Sequence, residues 1–142
     1  YNCIYSDIKD RSTKEYPLRF KGMLNVDFLK TYDLALPGYY NVAVILTNPP
    51  YSLANEFILH ALEILPENGL YIALMNITYL AGQKRYNDIY RYGSLREVYV
   101  FSKRVECWKN NDKEHESGSA LINFCWYVFQ KGYKGNPTLY WL

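Results

Sequence analysis

Apolar and polar positions follow two spacings along this chain, one typical of strands and one typical of helices. Residues 42–47 form a continuous, mostly β-branched run, which predicts a strand buried on both faces of a parallel sheet. Residues 52–65 carry apolar side chains at helical spacing, which predicts an amphipathic helix that begins after Ser52 as its N-cap and ends at Pro66. Only a short turn, residues 48–51, joins this strand to this helix.

The rest of the chain adds further strands and one more helix. Short apolar segments predict strands at residues 2–6, 21–25, 70–76, 96–102 and 120–129. A polar helix is predicted at residues 83–92, a loop at 106–119 and an irregular tail at 132–142. This alternation predicts an α/β sheet that is mostly parallel, and the last two strands, separated only by a loop, are expected to form an antiparallel pair.

Composition narrows the classes of protein that this chain can represent. The 142 residues match one domain, and a net charge of +2 gives only weak support for a polyanionic partner. The 16 tyrosines favour packing over base stacking, because many lie in strand-like segments. Three cysteines without a CxxC pair argue against a disulfide framework or a zinc site and fit a reducing, cytoplasmic compartment. We identify neither an apolar run long enough for a membrane span nor a signal peptide.

The turn between strand and helix carries the candidate chemistry. Its residues are Asn48, Pro49, Pro50 and Tyr51. The amide oxygen of Asn48 and the carbonyl oxygen of Pro49 are two acceptors that can hold both N–H bonds of an exocyclic amino group. Two prolines stiffen the turn, and Tyr51 can stack on a planar ring. Ligands in open α/β sheets bind beyond the carboxyl ends of strands, although Asn and Pro also occur in turns without function.

The tetrapeptide resembles the (Asn/Asp)-Pro-Pro-(Tyr/Phe) motif of S-adenosylmethionine-dependent amino-methyltransferases, and most of all the DNA adenine-N6 methyltransferases. The resemblance covers roughly residues 1–130 and implies a Rossmann-like class I methyltransferase sheet with a terminal antiparallel strand. It further implies that residues 48–51 are catalytic, that Asn48 also contacts the cofactor, and that an adenine flipped out of double-stranded DNA is the substrate.

Two upstream carboxylates match the family's cofactor positions. Asp7 ends the first predicted strand, and Asp27 with Phe28 follows the second. A carboxylate at a strand end can accept both hydroxyls of a ribose. The resemblance implies that Asp7 binds the ribose of S-adenosylmethionine, that Asp27 binds the amine of its adenine, and that Phe28 packs on the ring. Either aspartate alone also fits a solvated strand end.

One feature of the family is missing from this sequence. The family's glycine-rich loop precedes these positions, whereas none of the 8 glycines here forms a GxG pattern. Because the chain begins at Tyr1 and almost directly on a strand, we expect residues 1–142 to be one catalytic domain that is truncated at its N-terminus. A partner chain that supplies the loop, or an inactive remnant, are the alternatives.

Several substrates share this chemistry. RNA and protein-glutamine amino-methyltransferases carry the same tetrapeptide, and a split or remnant module without catalysis is a third possibility. The downstream aromatic strand most resembles bacterial and phage DNA enzymes, including those of restriction-modification systems. The 106–119 loop, with Trp108, Lys109 and Lys113, fits a nucleic-acid contact or, more simply, a solvated loop.

Overall fold

The structure is a computed structural model that describes residues 3–7, 20–24, 26–32, 42–103, 105 and 123–142. The chain divides into two compact units, residues 1–40 and 41–142. In the first unit, strands β1 (Cys3–Asp7) and β2 (Phe20–Leu24) pair in parallel, and a 3₁₀ turn follows at Phe28–Lys30. Both predicted strands are confirmed to within one residue.

The described residues of the second unit form five strands and two helices. In chain order these are β3 (Val44–Thr47), α1 (Ala54–Ile64), β4 (Leu70–Asn76), α2 (Gln83–Asp88), β5 (Leu95–Val100), β6 (Phe124–Gln130) and β7 (Thr138–Trp141). Short 3₁₀ turns occupy Tyr51–Leu53, Ile77–Leu80 and Tyr90–Tyr92. The predicted 106–119 loop lies outside the described residues.

The sheet of the second unit has the strand order β3-β4-β6-β5-β7. Strands β3 and β4 are parallel, β6 is antiparallel to both β4 and β5, and β7 is parallel to β5. The mostly parallel sheet and the antiparallel pairing of the last two predicted strands are therefore confirmed. β7, however, falls in the tail that was predicted to be irregular, and it pairs with β5 despite the preceding Gly135 and Pro137.

One face of this sheet forms the core. Strand register places alternate residues of β4 and β6 on that face, where helix α1 packs. The side chains there are fully buried and include several aromatic rings, namely Tyr71, Ala73, Met75, Cys125, Tyr127 and Phe129. The rings of Tyr127 and Phe129 stack with 6.4 Å between centroids, and burial raises the pKa of Tyr127. The tyrosine content thus serves packing here, as expected from the sequence.

Strand β3 departs from the sequence prediction. Its residues alternate between exposed and half-buried rather than being buried on both faces, and Val44 and Leu46 are 48% and 65% exposed. β3 is the first strand of the five-stranded order, so one of its edges has no strand partner within that sheet. Apolar residues show that a strand could be buried on both faces, but they do not show whether other elements of this unit cover those faces.

The boundaries of the helices also differ from the prediction. Ser52 is not an N-cap, because a 3₁₀ turn at Tyr51–Leu53 precedes α1 and Leu53 takes the cap position without a side-chain bond. At the other end, Lys131 Nζ donates to the carbonyl oxygens of Glu63 and Leu65 at 2.8 and 2.6 Å. Within the described ranges, no helix is long and apolar enough to cross a membrane.

Candidate active site

The Asn-Pro-Pro-Tyr turn directly follows β3. Because β3, β4, β5 and β7 point the same way and β6 runs against them, the turn shares one edge of the sheet with Ile77 after β4 and with Phe124 at the start of β6. Asn48 and Pro50 are exposed, whereas Pro49 is buried. The structure thus places all four predicted residues at the carboxyl edge, where α/β sheets bind ligands.

The carbonyl groups of the two prolines have different surroundings. The Pro50 oxygen accepts a hydrogen bond of 2.9 Å from the Leu53 amide, which closes the 3₁₀ turn. Within the described part of the chain, neither the Pro49 oxygen nor the side chain of exposed Asn48 accepts a hydrogen bond from the protein. Asn48 and Pro49 therefore retain the two acceptors that the sequence analysis assigns to a bound amino group.

The ring of Tyr51 lies in an aromatic cluster, which consists of Tyr51, Tyr79 and Phe124. Each of the other two rings has its centroid 6.5 Å from that of Tyr51, at interplanar angles of 49° for Tyr79 and 38° for Phe124. Phe124 is buried, whereas Tyr51 is 42% exposed. Tyr51 therefore packs near both rings and still exposes part of its surface to solvent, where a planar ligand could contact it.

Tyr79 also bonds to the backbone of the turn. Its hydroxyl group donates to the carbonyl oxygen of Tyr51, and the Ala54 amide donates to the same oxygen. A carbonyl oxygen has two lone pairs, so both acceptor positions of Tyr51 are filled. This arrangement connects the end of β3 with the 3₁₀ turn after β4.

Arg85 and Tyr90 hold the 3₁₀ turn that carries Tyr79. Arg85 donates from Nε to the Tyr79 carbonyl at 3.2 Å and from its guanidinium to the carbonyls of Thr78 and Ala81, and its charge lies 4.7 Å from the centre of the Tyr79 ring. The Tyr90 hydroxyl donates to the Tyr79 carbonyl at 2.6 Å, and burial raises the pKa of Tyr90 to about 12. The position of Tyr79 is therefore fixed by backbone and ring contacts together.

The predicted cofactor residues lie in the first unit, whereas the Asn-Pro-Pro-Tyr turn belongs to the second. Asp7 is the last residue of β1, and Asp27 follows β2 at the same, carboxyl end of this parallel pair. Asp27 caps the 3₁₀ turn that begins at Phe28, accepting from the Leu29 amide at 3.2 Å, and its second oxygen lies 3.3 Å from the exposed Lys30 amine. Phe28 is half-buried. Asp27 thus has a structural role in addition to its predicted contact with the cofactor.

Tyr79, Arg85 and Phe124 were not singled out by the sequence. Tyr79 follows the predicted strand at 70–76, so the rule that sites lie beyond strand ends could have indicated it. Phe124 begins a strand that runs in the opposite direction, which only the sheet topology reveals. Among the residues with described positions, no cluster of three or more His, Cys, Asp or Glu side chains could hold a metal ion.

Several solved structures of low sequence identity share the mixed α/β fold of this chain. A predicted O-methyltransferase from Agrobacterium tumefaciens is 16% identical, with a TM-score of 0.50, and the match covers 87% of this chain and 52% of that one. The M protein of the type I restriction enzyme EcoKI is 15% identical, with a TM-score of 0.53, over 87% of this chain and 28% of that one.

A third neighbour has a name from a different class of protein. It is a putative hemolysin from Streptococcus thermophilus, 11% identical with a TM-score of 0.60, matched over 96% of this chain and 52% of that one. The chain therefore spans about half the length of two of these structures and less of the EcoKI protein. No family model and no curated protein matches the sequence.

Proposed function

We propose that the chain carries the methyl-transferring half of an S-adenosylmethionine-dependent methyltransferase that acts on the N6 amino group of adenine in DNA. The observation that carries this proposal is the exposed side chain of Asn48 at the carboxyl edge of the sheet, beside the partly exposed ring of Tyr51. The methyltransferase fold supports methyl transfer as the reaction. The restriction-modification context of the EcoKI M protein and of a type IIG endonuclease, BpuSI, supports DNA as the substrate.

The residues present fit a cofactor with a ribose and an aminated ring. Carboxylates at Asp7 and Asp27 supply acceptors at the ends of adjacent parallel strands, and Phe28 supplies an apolar ring surface. When bound, S-adenosylmethionine supplies a methyl group on a positively charged sulfur. Because the Asp27 side chain caps the 3₁₀ turn, its position is fixed in the protein before any ligand binds.

The turn would act by orientation rather than by covalent chemistry. An adenine flipped from the duplex would stack on Tyr51, while Asn48 and Pro49 accept its two amino N–H bonds. These bonds would orient the nitrogen lone pair toward the methyl group that S-adenosylmethionine would supply. The extra proton on nitrogen then leaves to solvent. Positioning of this kind supplies most of the expected rate enhancement.

A comparison of substrates tests the proposal. The chain is incubated with radiolabelled S-adenosylmethionine and, separately, with DNA lacking methylated adenine, with RNA and with a glutamine-containing protein substrate. Label in DNA that is recovered as N6-methyladenine after digestion supports the proposal. Label only in RNA or protein would assign the turn to another amino-methyltransferase, and absence of label from all three would reject catalysis by this chain.

A further inference from the structure

We propose that Tyr79 is a positioning residue for the Asn-Pro-Pro-Tyr turn, and that its hydroxyl group sets the orientation of Tyr51 for catalysis. This inference rests on the proposed function, because the orientation of Tyr51 matters only if its ring receives a substrate. Tyr79 itself touches Tyr51 rather than the reacting atoms.

The prolines leave one part of the turn unconstrained. Their rings fix φ at Pro49 and Pro50 but not the backbone dihedrals of Tyr51. The Tyr51 carbonyl is held from the helix side by the Ala54 amide and from the β4 side by the Tyr79 hydroxyl. The second bond joins the Tyr51 backbone to the turn that follows β4, so it ties the orientation of Tyr51 to the carboxyl edge of the sheet.

The anchoring of Tyr79 makes it suited to this role. Its own carbonyl accepts from Arg85 and from Tyr90, and the Arg85 charge lies over its ring. Moreover, the Tyr127 hydroxyl donates at 2.9 Å to the carbonyl of Asn76, immediately before this turn. Three side chains, which come from α2, the segment after it and β6, thus hold the backbone that carries Tyr79.

The central experiment compares Tyr79→Phe with Tyr86→Phe. Tyr79→Phe removes the hydroxyl and retains the ring, whereas Tyr86 is 60% exposed on neighbouring α2 and serves as the matched control. Two properties are measured: the ¹³C chemical shift of the Tyr51 carbonyl by NMR, and kcat and KM for methyl transfer to adenine in DNA. The thermal midpoint of each variant verifies that it folds.

For Tyr79→Phe we expect a displaced Tyr51 carbonyl resonance and a fall in kcat of about fivefold, the range that loss of one hydrogen bond predicts. KM for S-adenosylmethionine should stay within about twofold of the wild-type value, because the loss affects orientation more than cofactor binding. Tyr86→Phe should alter neither property. A structural role alone would lower the thermal midpoint without this separation of kcat from KM.

Each remaining outcome has a defined meaning. An unchanged carbonyl resonance in Tyr79→Phe overturns the positioning role, whatever the activity. A displaced resonance with unchanged kcat shows that the bond exists without serving catalysis, and it also overturns the proposal. If the wild-type chain transfers no methyl group to any substrate, the proposed function fails and with it the catalytic role of Tyr79, while the resonance still decides whether the bond exists.

Discussion

The Thr47 hydroxyl donates a hydrogen bond of 2.8 Å to the Tyr71 hydroxyl, joining β3 to β4 one residue before Asn48. The Tyr71 side chain is fully buried, and its ring packs 6.0 Å from that of Phe129. The end of the strand that presents the candidate active site is therefore tied to the hydrophobic core through one polar contact.

Removal of this contact should destabilise the second unit. We expect Tyr71→Phe to lower the free energy of unfolding by about 1 kcal/mol, because a half-buried Thr47 hydroxyl then loses its partner. Thr47→Val should cost a similar amount, and the double variant should cost less than the sum of the two. Urea denaturation of the three variants measures the coupling, and additive losses would show that the two hydroxyls do not interact.

Two buried tyrosines predict a loss of stability at alkaline pH. Burial raises the pKa of Tyr71 to about 12 and that of Tyr90 to about 12, from an ordinary value of 10.0. Between these values the unfolded chain releases protons that the folded chain retains. The contribution of these protonated tyrosines to the free energy of unfolding is therefore complete below pH 10.0 and is lost as pH rises toward about 12.

The magnitude of this effect is measurable at a single residue. The raised pKa of fully buried Tyr71 corresponds to a loss of roughly 2 to 3 kcal/mol in the free energy of unfolding once the pH exceeds about 12. Urea denaturation across this pH range should show a shallower decline for Tyr71→Phe than for the wild type. Parallel declines for the two proteins would mean that Tyr71 titrates normally in the folded state.

The C-terminus of α1 offers a test of the interaction between this helix and β6. Lys131 follows β6 and donates to two carbonyls at that helix end, so Lys131→Met should cost about 1 kcal/mol of unfolding free energy. Lys84→Met is the control, since Lys84 is exposed and its solvent-screened pair with Asp88 should contribute less to stability than the contacts of Lys131. Equal losses in the two variants would contradict the capping role of Lys131.

Asp27 provides the test of cofactor binding. Asp27→Asn should retain the cap on the 3₁₀ turn, because Asn and Asp cap equally well, while removing the carboxylate. We expect calorimetric titration to show micromolar binding of S-adenosylmethionine to the wild type and at least about tenfold weaker binding to Asp27→Asn. Asp27→Ala should lose the cap as well. Wild-type affinity in Asp27→Asn would remove Asp27 from the cofactor site.

Much of the second unit was predictable because its elements are short and locally defined. α1 was predicted from the helical spacing of its apolar residues, and β3 from a continuous apolar run. Both patterns depend only on residues that are close together in the sequence. The tetrapeptide between them also needed no tertiary information. For the same reason, the position of the turn between β3 and α1 could be predicted from the sequence.

The remainder depended on partners distant in sequence. β7 follows Gly135 and Pro137 and forms only because β5 offers an edge for parallel pairing. The exposure of Val44 and Leu46 depends on which elements cover that face of β3, and composition does not reveal this. Tyr79 enters the site through a hydrogen bond to a residue 28 positions earlier in the chain.

The measurement that tests the central claim most directly compares methyl transfer by Asn48→Ala and Asn55→Ala. Asn48 presents an exposed amide beside Tyr51. Asn55 lies in the first turn of α1 and is the matched control, because it is also an asparagine but is not part of the Asn-Pro-Pro-Tyr turn. We expect Asn48→Ala to lose at least about 100-fold in transfer to adenine while retaining most of its affinity for S-adenosylmethionine, and Asn55→Ala to remain active. Transfer by Asn48→Ala near the wild-type rate would contradict the assignment of this turn as the active site.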